Sequence, residues 1–280
     1  MRPSPLVLTL ALCAGAEETP EAPGVTVEIS AERTEFALGD PILVDVVFRN
    51  EGEGTAEIEE SHRLRFRNAF EVRDALGVMV PNPYLDLDTP NYDGKSTVHK
   101  LRPGTTISFP MYVNECAAFE KPGEYVVTAR RPSKPLKIRV LPAPDKKDRD
   151  RAVADLMALW RNPKLRECEE YARYRPYITE HNGSTDALRL LAFLREPELL
   201  PFWIEGIEVT GKRTRFRSAF APEALAGLPD RAAVLKALEA RLDRSADPNV
   251  LTTYVLLAVP ESVENAFARR KEIRDRYEDK

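Results

Sequence analysis

Three cysteines and three histidines are all that the 280 residues hold of the side chains most used in soft-metal and nucleophilic chemistry. No H-E-x-x-H, G-x-S-x-G or C-x-x-C pattern occurs, so the readable signatures of zinc peptidases, serine hydrolases and dithiol redox proteins are missing. His62, His99 and His181 lie far apart in sequence. Acidic neighbours, Glu115 before Cys116 and Glu167 and Glu169 around Cys168, disfavour a thiolate at either cysteine. A dominant charge is lacking too: 41 basic against 45 acidic residues give −4, too little for a long-range pull on nucleic acid or an anionic membrane. A catalytic role, a resident cofactor and a nucleic-acid partner are therefore not expected.

What is present describes a folded chain, 43% hydrophobic and 31% charged, long enough for two domains. It opens with Arg2, the apolar run "LVLTLALCAGA" at residues 6–16, and the acidic, proline-containing "EETPEAP". The run is too short to span a bilayer, and Ala14-Gly15-Ala16 supplies small residues for cleavage. Residues 1–16 are expected to be a secretory signal peptide, with the mature chain starting at Glu17 and residing in the periplasm or outside the cell. As an alternative, "LALC" resembles a bacterial lipobox, which would place a lipid on Cys13 and the chain on a membrane; Leu12 departs from the Gly, Ala or Ser of that pattern. Export leaves Cys116 and Cys168 either to pair or to remain thiols.

From Val25 to Leu141 the hydrophobic period is two. "VTVEI", "PILVDVVFRN", "HRLRFRNAFEV", "TTISFPMYV", "GEYVVTARR" and "LKIRVL" read as short strands, with "EGEG", "RPG" and "KPG" as turns between them. About seven such strands predict an antiparallel β-sandwich. "LPAPDKKDRD" then turns to proline and charge, so residues 143–150 are expected to be a linker. Beyond it Val153, Leu156, Met157 and Trp160 recur at one-turn spacing, and helices are expected over 151–280. The chain thus reads as multidomain, β then α.

The segments "FALGDPILVDVVFRNEG", "LRPGTTISF" and "KPGEYVVTA" resemble the immunoglobulin-like sandwiches of exported bacterial proteins, across residues 24–142, and their LGD-to-PGxY layout is similar to BsuPI-type proteinase inhibitors. The resemblance implies a fold and, as an alternative function, inhibition of a peptidase through a β-domain loop; no inhibitory residue matches. In the second half, "LLAFLREPELL", "ALAGLPDRAAV" and "LLAVPESVENAF" start at residues 190, 224 and 256, so that Leu191 aligns with Leu225 and Leu194 with Leu228. They resemble HEAT-like repeats, with an irregular helical bundle as the alternative.

Four segments carry candidate chemistry. "GIEVTGKRT", residues 206–214, nearly matches a phosphate-binding loop. The preceding "PELLPFWIE" has helical rather than strand spacing, and Arg213 stands where the loop takes Ser or Thr, so a helix ending near Gly206 is expected instead. Lys212, Arg213, Arg215 and Arg217 around Phe216 form a basic loop suited to a phosphate, an acidic polysaccharide or an acidic protein face, or simply to solvent. Tyr171, Tyr174 and Tyr177 recur every three residues among arginines, as either a sugar- or peptide-binding row or core. Asp86, Asp88, Asn91 and Asp93 group oxygen ligands before Gly94, making them a calcium candidate or an ordinary turn. The expectation is an exported, non-enzymatic binding or scaffold protein whose partner is a protein or an envelope polysaccharide, with an unrecognised hydrolase third.

Overall fold

The computed structural model describes residues 24–60, 69–82, 97–129, 133–207, 214–245, 247–259 and 265–278, and only the backbone of 59, 60, 214–219 and 278. The expected signal peptide with Cys13, the calcium candidates Asp86, Asp88, Asn91 and Asp93, and Lys212 and Arg213 lie outside the described residues. Strands come first and helices second. The chain divides into two compact units, Met1–Leu85 with Pro90–Ala143, and Pro144–Lys280 with Asp86–Thr89.

The first unit is built from β1 (Val25–Ser30), β2 (Glu35–Ala37), β3 (Leu43–Asn50), β4 (Ala56–Glu60), β5 (Phe70–Asp74), β6 (Thr97–Leu101), β7 (Thr106–Tyr112), β8 (Gly123–Ala129), β9 (Ser133–Lys134) and β10 (Leu136–Leu141). One sheet runs β7-β3-β1-β9 and another β2-β10-β8-β5, with β4 and β6 as a separate ribbon. Pairing is antiparallel except where β1 meets β9 and β10 meets β2. Alternation decides what each strand buries: in β3, Val44, Val46 and Phe48 are buried while Asp45 and Arg49 are exposed. Val27, Phe48 and Phe109 from one sheet join Phe36, Val72, Val127 and Ile138 from the other in a single apolar cluster. Asn50 ends β3 buried, yet it is satisfied: its amide donates to the carbonyls of Gly54 and Leu101, and its oxygen accepts from the Gly52 N–H.

The second unit contains α1 (Lys146–Arg161), α2 (Gly183–Phe193), α3 (Leu200–Ile207), α4 (Thr214–Gly227), α5 (Arg231–Leu242), α6 (Pro248–Ala258) and α7 (Ala266–Glu278). The expected linker is corrected here. Asp145 caps α1 by accepting from the Asp148 N–H at 2.9 Å, so Lys146 to Asp150 are the first helical turn and more, with Lys146 paired to Asp150 one turn on. A run of charge on the open side of a helix looks like a linker to any reading that searches for apolar period.

Among neighbours in sequence, the close packing joins α1 with α2, α3 with α4 and α5 with α6, while α2 also packs on α4. The look-alike segments that start at residues 190 and 224 therefore hold the junctions between helix pairs, not the turns within them, whereas α6 packs on the α7 that follows it. Arginines close those junctions: Arg195 donates to the Gly227 carbonyl, Arg231 to that of Leu257, and Arg270 to that of Val259 at 2.8 Å. Each satisfies a carbonyl at a helix C-terminus that the helix itself leaves open. Arg195 takes the left-handed conformation (φ 54°) usual for glycine after a helix, and its side chain does what a glycine cannot.

Candidate binding surfaces

Two 3-10 turns, Pro163–Glu167 and Glu169–Tyr174, lead from α1 towards α2; the second carries Tyr171 and Tyr174, and Tyr177 follows in the next turn. Asn162 ends α1, Pro163 starts the first turn, and Gly183, at the start of α2, lets it pass close by: a Cβ there would lie 2.6 Å from that of Pro163. The segment is braced by its own cations. Arg166 donates to the Ile178 carbonyl (2.7 Å) and pairs with Glu167. Arg175 donates to the carbonyls of Arg166 and Glu167 (both 3.0 Å), and Arg173 pairs with Asp155 of α1 at 2.7 Å. At the far end Asp186 of α2, buried, accepts from the N–H (2.9 Å) and hydroxyl (2.7 Å) of Thr179 and from Arg189. Asn182 offers α2 no side-chain cap, and the Asp186 carboxylate reaches back past the start of the helix to Thr179.

The three tyrosines do not form one exposed row. A repeat of three falls on one edge of a 3-10 turn, yet Tyr174 turns into the core while Tyr171 and Tyr177 stay half-buried on the surface. Arg173 lies over the Tyr174 ring, its guanidinium carbon 4.7 Å from the ring centre, and the Tyr174 hydroxyl has no hydrogen-bond partner among the described residues. Burial pushes that phenol up to about 12. Around Tyr171, burial and the carboxylates of Glu170 and Asp155 raise the phenol above its ordinary value. The arginines are spent on Asp155, Glu167, Glu169 and backbone carbonyls, so this face offers two phenols and carboxylates rather than free cations. It suits an uncharged polyhydroxyl or a basic ligand better than an acidic one.

Removing the Tyr174 hydroxyl should help folding. A buried hydroxyl without a partner costs about 1–3 kcal/mol, so Tyr174→Phe is expected to leave stability unchanged or raise it by about 1 kcal/mol in urea denaturation. Its folded pKa is raised because burial disfavours the phenolate, so wild-type stability is full below pH 10 and falls as pH rises towards 12, where unfolding lets the phenol ionise; Tyr174→Phe should lack that fall. In an alkaline absorbance titration the mutant should lack one late-ionising phenol, leaving that of Tyr254, which burial and Glu239 raise as well; a lowered denaturation midpoint would show that the hydroxyl is bonded after all.

The basic loop is also redrawn. Gly206 and Ile207 are buried inside α3 and a helix, α4, starts at Thr214, so the near-match to a phosphate loop follows a helix where such a loop needs a strand. Arg215 and Arg217 belong to the first turns of α4 rather than to a loop. Cys116 is buried in the first unit and Cys168 exposed in the second, and neither is in a disulfide. Among the described residues no group of three His, Cys, Asp or Glu is placed to hold a metal, and no helix is long and apolar enough to cross a membrane.

A second surface went unread in the sequence. After β5 the chain makes a tight hairpin: the Gly77 N–H donates to the Asp74 carbonyl, the Asp74 N–H to the Val78 carbonyl (both 2.9 Å), and the Val80 N–H to that of Val72. The Asp74 carboxylate accepts from the N–H groups of Leu76 and Val78 (both 2.9 Å), Arg73 donates to the Gly77 carbonyl at 3.1 Å, and Gly77 supplies the left-handed φ of 80°. On this pinned frame Leu76 is 88% exposed, Val78 59% and Met79 44%. The signal was the turn "DALG" followed by apolar residues of both parities, which period-two reading cannot assign to either face.

No family model and no curated protein matches the chain. Among solved structures it is similar to a β-glucosidase from Erythrobacter marinus (18% identity, 42% of this chain and 15% of that one, TM-score 0.27). It is similar also to a β-glucosidase from Listeria innocua (14%, 41% and 16%, TM-score 0.27) and to the native α2-macroglobulin of Escherichia coli (11%, 91% and 22%, TM-score 0.21). The chain spans less than a quarter of each of these proteins, and TM-scores at this level fix neither a fold nor an activity.

Proposed function

We propose that this chain is an exported, non-enzymatic binding protein in which an immunoglobulin-like sandwich and a HEAT-like helical stack each present a surface to a protein or a glycan. Several features support the architecture. The first strands divide between the two sheets, β1 beside β3 and β2 parallel to β10, and the Tyr125 hydroxyl donates to the Lys121 carbonyl at 2.7 Å across the corner before β8, as tyrosine corners of such sandwiches do. The packed pairs α1/α2, α3/α4 and α5/α6 support the stack.

The observation that carries the function is the braced tyrosine face. Tyr171 and Tyr177 are held half-exposed by arginines that bond backbone carbonyls, so a ligand meets aromatic area whose ordering has already been met by the fold. Rigid phenols over a hydroxylated or basic ligand are a binding device, not a catalytic one. Titration of the mature chain against neutral envelope polysaccharide fragments, and separately against basic peptides, tests it. Tyr171→Ala with Tyr177→Ala should weaken the ligand that binds by about tenfold while leaving the melting temperature close to wild type. No binding in either titration, or an affinity indifferent to both tyrosines, would sink the reading.

A further inference from the structure

We propose that Asn182 and Gly183 form a self-modification site: the Asn182 side-chain amide is lost through a cyclic imide at a rate set by the turn of residues 179–182, and the isoaspartate formed loosens the start of α2. The inference is independent of the tyrosine face. Of the asparagines in the chain, only Asn182 is followed by glycine, which leaves the next backbone nitrogen unshielded by any side chain. Packing demands that glycine. A Cβ on Gly183 would come 2.6 Å from the Cβ of Pro163 and 3.3 Å from Cγ2 of Ile178. Asn182 is exposed, and although asparagine is a favoured cap its side chain makes no bond to the first turn of α2. The Gly183 N–H, at the first position of that helix, has no acceptor within it. Neither the amide nor the attacking nitrogen is held by the helix.

Water is the only reagent the step needs. The Gly183 nitrogen gives its proton to solvent and bonds to Cγ of Asn182, the Cγ–Nδ2 bond breaks, and the amide nitrogen leaves as ammonia. Water then opens the imide at Cγ to give aspartate, or at the former main-chain carbonyl to give isoaspartate, in which the chain runs through Cβ and Cγ. The folded turn opposes ring closure. Closure needs the Gly183 nitrogen nearly eclipsed with Cβ about the Cα–C bond, far from the ψ of 16° that Asn182 holds. That conformation is fixed from both sides: the Asn182 carbonyl accepts from the Asp186 N–H at 2.8 Å, and its N–H donates to the Thr179 hydroxyl at 3.2 Å. Gly183 is also buried, so reaction waits on local opening of the turn. Aspartate caps a helix as well as asparagine does, and its charge suits a helix N-terminus. Isoaspartate instead lengthens the path to Gly183 by one carbon, against the close Pro163 contact, and turns the carbonyl that accepted from Asp186 into a branch off the chain.

The test ages the folded full chain in warm, mildly alkaline buffer, beside Asn182→Ser, Thr179→Val and Thr179→Ser, and follows it by peptide mass mapping and by methyl labelling with an isoaspartyl methyltransferase. The amide-to-acid mass change, with both isomers present, is expected in the tryptic peptide that ends at Arg189, and not in Asn182→Ser. Thr179→Val keeps the side chain's size but removes the hydroxyl that accepts from Asn182 and donates to Asp186, so the rate should rise about fivefold, as for the loss of one or two net hydrogen bonds. Thr179→Ser retains the hydroxyl and should age as wild type does. In urea all the chains that keep Asn182 should react at one faster rate, a comparison that holds even if Thr179→Val fails to fold. After separation by charge and isomer, the isoaspartate form should melt below the aspartate form. The proposal is overturned by an Asn182 that stays intact in the folded chain over many times its half-life in urea, by equal rates in folded and urea-unfolded wild type, by a folded Thr179→Val that ages no faster than wild type, or by aspartate and isoaspartate forms that melt alike.

Discussion

Asp186→Ala should destabilise the helical unit by about 3 kcal/mol, because it removes one carboxylate from three partners at once. Asp186 is 5% exposed, and its oxygens accept from the Thr179 N–H, the Thr179 hydroxyl and Arg189. Alanine leaves an N–H and a hydroxyl donor without that acceptor and takes the carboxylate away from the Arg189 guanidinium, a desolvation cost rather than the mere loss of a contact. Thr179 also holds the next turn, its hydroxyl accepting from the Asn182 N–H, so the loss spreads towards the start of α2. Asp186→Asn keeps an acceptor and should cost roughly half as much. Denaturant unfolding of both variants, with hydrogen exchange at Thr179 and Asn182, checks the prediction. A cost under about 1 kcal/mol for alanine, with exchange unchanged, would mean that apolar packing at Ile178 and Leu188 holds the segment without the carboxylate.

That carboxylate also shows where sequence reading stops. Strand β3 was legible because Val44, Val46 and Phe48 alternate with polar residues, and the same parity carries Asn50 inward, where alternation alone would not place an amide. The helices were legible where apolar residues recur, and α1 was misjudged at its start, where the informative residue was the cap Asp145 and not the charged run behind it. The site was half legible. Spacing picked out Tyr171, Tyr174 and Tyr177 together, but two successive 3-10 turns clamped through Arg166 and Arg175 decide which ring points inward, and those bonds go to backbone carbonyls that no residue pattern records. The hairpin at 74–79 stayed hidden for the opposite reason. Its apolar residues face water, and a reading that assigns hydrophobic residues to a core has no place for them.

Trp203→Ala should cost the helical unit about 3–5 kcal/mol, a large part of the stability of an ordinary domain. Trp203 is 1% exposed and the largest of the fully buried side chains. It packs edge-on against Phe202 with ring centres 4.9 Å apart, and Phe202 meets Trp160 of α1 at 5.3 Å, so one aromatic chain ties α3 to α1. Alanine would open a cavity that the neighbouring rings fill only in part, while Trp203→Phe keeps an aromatic in place and should cost less than half as much. Trp160 and Trp203 are the two tryptophans of the chain, so loss of the buried one should also remove the blue-shifted component of the fluorescence and leave the more exposed emission of Trp160. The same substitution bears on the phosphate-loop likeness of residues 206–214. Trp203 and Ile207 are buried from one helix, so the segment before the loop serves as core; magnesium and ATP should leave the melting temperature of wild type and mutant alike unmoved. A nucleotide-dependent rise in wild type that Trp203→Ala abolishes would show that α3 supports a binding site, and a destabilisation under about 1 kcal/mol would show that the helices pack without this ring.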